Sequence, residues 1–431
     1  MSDFDPHITV EPIEEATDVN CNVKVITLDN HKLKIETPFK ILSGKSLTDD
    51  AVNQISDNLK NPLFEIGTFC DYPRTYEKLA KTIRYGGNTK SWISKLNTDI
   101  GLRSSLEDNF GKNVILSSVF QYYPLNDITL RHKPKEYARL GKDEYSAYLK
   151  YIHGASTAFV LTPDVLLPPA GKRTFSIDEY LRFLDFSIET LQKYNNKPIF
   201  VPVQIDLPMS DLKQVLGHYR GDGFTNIWIN FKAQRCEKSH AAKLGIILEQ
   251  IDQFFKGEDY IIYSSHIKQE RDARENMIPA YDMFPPFRGA DFVGITRNRR
   301  FPNKGDDPDE QAQKKGFEDH ADYKAAVDLR KLSLFDADSY KYVIPSIYPN
   351  NTVDEEIFEV IQKKQPSCNL FNDISINNEL ENVRAQIKET KIVRPYLESK
   401  AGVVEGKDVF SYAMKTDSPK KKTYQKLLRS I

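Results

Sequence analysis

The 431-residue chain has few cysteines, and Cys21, Cys70, Cys236 and Cys368 stand far apart and never as a C-x-x-C pair. That excludes a disulfide scaffold and a structural zinc made of paired thiolates. No run approaches the roughly 20 apolar residues of a spanning helix. The opening Met1-Ser-Asp-Phe-Asp-Pro is acidic and polar, without the apolar segment of a signal peptide. A cytoplasmic protein with no membrane contact is expected. Neither sign of charge is in excess. With 60 basic and 61 acidic residues the net charge is −1, so any surface for a nucleic acid must be a local patch. No internal repeat is found. What remains is an ordinary globular composition, 28% charged and 40% hydrophobic, long enough for one large domain with an appendage, or for two domains.

Residues 1 to about 20 are polar and read as loose. Val23–Leu28, a turn at Asn30-His31 and Leu33–Ile35 read as a β-hairpin. Strands and helices then alternate. Strands are expected at 63–66, 114–116, near 156–164, 199–203, 227–231, 260–263 and 291–295. Helices are expected at 74–83, 135–152, 210–219 and 241–255. Ser176 caps another helix, whose residues Ile177, Tyr180, Leu181, Leu184, Ile188 and Leu191 keep to one face. This alternation over about 270 residues favours α/β architecture with a parallel sheet, and its count suits a (β/α)8 TIM barrel. The polar stretch Gly305-Asp-Asp-Pro-Asp-Glu reads as a linker. It divides a barrel domain, 1–305, from a mostly helical C-terminal extension, 306–431. That extension includes a helix over 379–399 and a basic tail with Lys415, Lys420, Lys421, Lys422, Lys426 and Arg429.

Two aspartates sit at the ends of apolar runs. Asp164 closes Ser156–Asp164, Asp291 opens Asp291–Arg297, and between them Gln204 ends Val201-Pro-Val-Gln. Polar residues that stop buried parallel strands, converging on one face, are how a barrel of this kind builds an active site.

Four segments, in order, resemble the tRNA-guanine transglycosylase superfamily. His31–Pro38 resembles the family's opening hairpin and Thr-Pro. Thr162-Pro-Asp-Val-Leu-Leu-Pro-Pro169 is similar to Leu-Asp-x-Pro-Thr-Pro-Pro. Val201–Gln204 followed by Ser210-Asp-Leu-Lys213 is similar to Pro-Val-Gln and Pro-Asp-Leu-Arg. Asp291-x-x-x-x-Thr296-Arg297, with Arg300 and Asn303-Lys-Gly305, resembles Asp-Cys-Val-Leu-Pro-Thr-Arg-x-x-Arg-Asn-Gly. Val114–Gln121 also resembles the family's Thr-Asp-Ser-Gly-Gly-Tyr-Gln.

The resemblance implies a TIM-barrel pentosyltransferase that exchanges guanine for a 7-deazaguanine base in tRNA or DNA through a covalent Asp-ribosyl intermediate. It implies Asp291 as nucleophile, Asp164 and Gln204 as base-reading groups, and Phe120, Ser117 and Gln121 beside the base. The residue types suit that chemistry. A carboxylate traps positive charge developing at a sugar C1′, while a second carboxylate and an amide read a purine-like edge. The target nucleotide must be flipped out to be reached. Arg297, Arg299, Arg300 and Lys304 are placed to meet phosphates. No cofactor and no metal are expected, and a homodimer is compatible with the chain.

The sequence departs from the family in two places. Leu116 stands where the family has an acid/base aspartate, with Glu65 and Asp71 the nearest substitutes, and leucine moves no proton. The zinc cluster of the tRNA enzymes is missing, since only Cys368 lies in that region. His266, in Ser264-Ser-His266, resembles Gly-x-Gly-His-Pro. Taken singly, these residues also have plain roles as helix caps, loop hydrogen bonders or core. A non-catalytic barrel that binds nucleic acid or a modified base, and an unrelated TIM-barrel hydrolase or lyase, are the alternatives.

Overall fold

The computed structural model describes residues 7–28, 32–45, 47, 59–85, 89–102, 113–131, 137–194, 196–269, 274–298, 307–349 and 365–400. The basic tail from Lys415 onward, with Arg299, Arg300 and Lys304, lies outside these residues.

The chain opens with an antiparallel sheet of β1 (Ile8–Glu15), β2 (Asn22–Leu28) and β3 (Leu33–Thr37). The hairpin expected from the sequence is β2–β3. The expectation of a loose N-terminus is corrected, because residues 8–15 pair with β2 along their length, with a bulge between Pro12 and Glu14. Proline and glutamates suit an edge strand that must not pair further, and they also hide it in the sequence.

The body is built from β4 (Phe39–Lys40), β5 (Leu42–Ser43), β6 (Phe64–Cys70), β7 (Val114–Phe120), β8 (Val160–Leu161), β9 (Asp164–Val165), β10 (Ile199–Gln204), β11 (Asn226–Asn230), β12 (Ile261–Ser265), β13 (Met277–Pro279) and β14 (Phe292–Val293). Six of them pair in the order β4-β14-β12-β11-β10-β8 and four as β5-β6-β7-β9. Every pair in these two sheets is parallel. Ile41 alone separates β4 from β5, and Thr162-Pro163 separates β8 from β9, so the same two chain segments end both sheets. The result is a mixed α/β fold around a curled parallel sheet.

Side-chain alternation explains the curl's two faces. Ile115 and Val119, Phe200, Trp228, Tyr263 and Phe292 fill the concave side, closed below by Ile26, Leu28, Leu33 and Ile35 of the antiparallel sheet. Ile66, Leu116, Phe120, Val201, Val203 and Ile229 face the helices. Helix Ile177–Gln192 begins as expected at Ser176, whose hydroxyl accepts from Glu179 N at 3.1 Å. The helix expected at 135–152 starts later, at Lys142, behind Gly141.

The C-terminal part holds helices Pro308–Lys314, His320–Arg330, Gln365–Thr390 and Arg394–Glu398, together with β15 (Leu334–Asp336) and β16 (Lys341–Val343). β16 pairs with both β13 and β15. The long helix Gln365–Thr390 completes the hydrogen bonding of β4. Asn377 Oδ1 accepts from Lys40 N at 2.9 Å and Asn377 Nδ2 donates to Lys40 O at 2.7 Å. Among the described residues, no helix is long and apolar enough to cross a membrane.

Candidate active site at the carboxyl ends of the strands

The inward positions of β10 and β11 end on Gln204 and Asn230, and with His266 just after β12 these join Asp164, Ser117 in the middle of β7 and Glu65 near the start of β6 in one hydrogen-bonded layer. All six are completely buried. Glu65 Oε1 lies 3.1 Å from His266 Nε2. Its Oε2 accepts from Ile295 N at 2.8 Å and from the Tyr263 hydroxyl. Ser117 Oγ is 3.1 Å from the same His266 nitrogen. His266 Nδ1 meets Asn230 Oδ1 at 3.1 Å, and Asn230 Nδ2 donates to Asp164 Oδ2 at 2.6 Å. The other oxygen of Asp164 accepts from Gln204 Nε2 at 2.9 Å and from Tyr180 OH at 3.0 Å. Gln204 also donates to Val165 O and accepts from Leu167 N.

Charge in this dry layer is set by burial against hydrogen bonding. Burial raises Glu65, but His266, Ser117 and Tyr263 overrule it and hold the carboxyl below its ordinary range. For Asp164 the balance goes the other way. Burial pushes it up, against donors Asn230, Gln204 and Tyr180. Two glycines make the packing possible. A methyl on Gly294 would collide with the Tyr263 hydroxyl and Glu65 Oε2, and one on Gly67 would strike the Phe69 ring.

Phe69 covers the layer, its ring edge-on to His266 at 4.9 Å. The Arg297 guanidinium lies 4.1 Å over the outer face of Phe69 and is ion-paired with Asp71. Beside this cover a small polar cavity of about 50 Å³ is lined by Ser43, Thr296, Asp282, Tyr342, Asn372 and Asp373, with Ile295 as its shared wall with Glu65. Lys40, fully buried, stands 3.6 Å from both Asp282 and Asp373 and donates to Gly294 O at 2.7 Å. Burial raises Asp373 to about 6 despite Lys40.

Of the residues singled out in the sequence, the structure brings together Asp164, Gln204, Ser117, Glu65 and His266. It places Asp291, Phe120, Gln121 and Arg297 elsewhere. Asp291 stands at the start of its strand, where its carboxylate accepts from Ile262 N at 2.8 Å and pairs with Lys24 of β2 at 3.0 Å. That is three residues before Gly294, or roughly 10 Å along a strand, and faces the sheet that closes the opposite end. The nucleophile role given to Asp291 is therefore corrected, because its side chain is directed away from Asp164 and Gln204. Phe120 is corrected too. It points to the helices, among Tyr76, Tyr145 and Tyr148, since the even positions of β7 face outward. Leu116 shares that outward face, so the departure noted there does not fall on the polar layer. Gln121 follows the strand, its backbone N–H bonded to Cys70 O. Arg297 is buried over Phe69 and bound to Asp71, which withdraws it from phosphates.

Asn230, Tyr263, Tyr180 and Phe69 were missed. Counting inward positions from Glu65 gives Gly67 and Phe69, a signal present in the sequence. Asn230 and Tyr263 needed strand register to be seen. Among the described residues Asp185, His218 and Asp222 form a group whose donor atoms lie within 4.8 Å, but it lies on helices away from the strand ends. One nitrogen of His218 serves both carboxylates, as in a surface ion-pair cluster.

No family model and no curated protein matches the chain. Similar solved structures include a probable tagatose 6-phosphate kinase from Sinorhizobium meliloti 1021, 11% identical with a TM-score of 0.39, covering 80% of this chain and 98% of that one. The carboxyl transferase domain of Rhizobium etli pyruvate carboxylase is 12% identical with a TM-score of 0.36, covering 91% of this chain and 60% of that one. Tryptophan synthase from M. tuberculosis is 11% identical with a TM-score of 0.24, covering 57% and 87%. Likenesses this distant carry no argument about activity.

Proposed function

We propose that the curled sheet is a closed (β/α)8 barrel and that the chain is a base-exchange enzyme of the guanine-transglycosylase kind. In this reading it replaces guanine by a 7-deazaguanine base in tRNA or DNA. Closure is supported by the strand pairing. The β4–β5 segment pairs with β14 on one side and β6 on the other, and β8–β9 pairs with β10 and β7. Eight parallel positions then follow one another around a ring.

The observation that carries the function is the joining of Asp164 to Gln204. They come from different strands, meet at the carboxyl ends, and offer a carboxylate acceptor beside an amide that both donates and accepts. That is the set a guanine edge exchanges with. The attacking carboxylate in this reading is Glu65, three hydrogen bonds from Asp164 through His266 and Asn230. Its anion is stabilised by Tyr263 and the Ile295 N–H. Glu65 forms a bond to C1′ as the C1′–N bond to guanine breaks, with that electron pair going to the purine, which takes a proton from water. The incoming deazaguanine then returns its ring N–H proton to water as its ring nitrogen bonds C1′ and the Glu65 carboxylate leaves with the C1′–O electron pair. Phe69 and Arg297 must swing aside for the flipped nucleotide to enter.

The test is incorporation of labelled guanine into bulk tRNA and bulk DNA by the full chain. The expected result is exchange into one polymer, lost in Glu65→Gln and Asp164→Asn. Exchange indifferent to both substitutions would overturn the reading. A base-binding barrel without exchange is the second reading, favoured by the engagement of both Glu65 oxygens beneath Phe69. Base binding without incorporation would select it.

A further inference from the structure

Hydrogen-bond accounting around His266 fixes where the protons of the polar layer sit. Lys232 N–H donates to Asn230 Oδ1 at 3.0 Å, so that atom is the amide oxygen and the amide nitrogen faces Asp164. The His266 Nδ1 that meets this oxygen at 3.1 Å must then carry a hydrogen. On the other side of the ring, Nε2 faces Glu65 Oε1, whose partner oxygen already accepts from Tyr263 OH and Ile295 N. A bare Nε2 beside a bare carboxylate oxygen at 3.1 Å would be repulsive, so one proton lies between them. The remaining neighbours are Ser117 Oγ at Nε2, the ring edges of Phe69 and Trp228, and, at longer range, Asp164 and Arg297.

We infer that His266 is a positioning residue held as an imidazolium, one N–H fixing Glu65 as the anion and the other fixing Asn230 so that Asp164 remains an acceptor. The ring's placement is enforced by its surroundings, since His266 sits at φ 62, a left-handed conformation a non-glycine residue keeps only where its neighbours hold it. Burial lowers the ring's pKa and outweighs the Glu65 carboxylate, so the charge rests on the hydrogen-bond geometry, which needs a proton on both ring nitrogens, and on Glu65, which is held low with His266 as the largest lowering contact. The consequence for catalysis rests on the base-exchange reading. The protonation state does not.

Two measurements on the full chain test it. In ring-¹⁵N-histidine protein, with His266 assigned by its loss in His266→Asn, both ring nitrogens should carry protons at neutral pH. A singly protonated neutral ring would overturn the assignment. Asparagine is chosen because it tolerates φ near +60. In the folded His266→Asn variant, the infrared band of a protonated carboxyl, identified by its loss in Glu65→Gln, should appear at least about one pH unit higher than in the native chain. A band that does not move would also overturn it. A doubly protonated ring in a chain that exchanges no base would leave this assignment standing and defeat the base-exchange reading.

Discussion

Asp164 and Asp291 look alike in the sequence, and their neighbours give them different work. Asp164 is held by three side-chain donors from three other elements in the buried layer. Asp164→Asn replaces one acceptor oxygen by a donor facing other donors, so guanine or deazaguanine binding should weaken by about 10- to 100-fold, measured by calorimetry. Asp291 is joined to Lys24, which is 14% exposed, and to a backbone N–H. Asp291→Asn should therefore cost about 1–3 kcal/mol in urea denaturation and leave exchange intact. A loss of exchange in a folded variant would restore Asp291 to the site. Which aspartate faced the layer was not legible from sequence, because both interrupt apolar runs. The strand's direction and a lysine 267 positions away decide it.

At the level of elements, the strand–helix alternation was readable because the buried parallel strands are short apolar runs and the helices carry periodic faces and caps. The ends were less readable. Expected strand 227–231 is Asn226–Asn230, and that shift of one matters because it makes Asn230 the last inward residue. The long helix Gln365–Thr390 was only partly expected, and its role as the side-chain partner of Lys40 could not be seen, since Asn377 lies 337 residues away. This helix carries the clearest pH signature. Asp373 is raised from 3.8 to about 6 in the folded protein. The folded state thus binds its proton more tightly, and the associated stability is full below about pH 4 and lost as pH rises through about 6. Relative to Asp373→Asn, the native chain should lose up to about 1.4 kcal/mol per pH unit across that window, followed by chemical denaturation. A difference flat with pH would refute it. At the end of β14, Gly294→Ala should destabilise by roughly 1–3 kcal/mol through overpacking against Glu65 and Tyr263. An Ala variant as stable as the native chain would show that this contact yields without cost.

At the level of the whole molecule, polarity is sorted along the strands. Their starts are sealed by an antiparallel sheet and the Lys24–Asp291 pair, while Gln204, Asn230 and His266 at the ends of β10, β11 and β12 join Asp164 and Glu65 in one polar layer. The cavity beside that layer is lined by Asp282 and Asp373, a poor surface for phosphate, so in the proposed base exchange a polymer's backbone would lie elsewhere on the mouth. In the proposed base exchange Glu65, and not Asp291, is the carboxylate that bonds to the sugar. The most direct test is to denature the chain during turnover with tRNA or DNA, digest it, and locate any covalently attached nucleotide by mass spectrometry. The expected adduct is on the peptide carrying Glu65. An adduct on the peptide carrying Asp291 would contradict it.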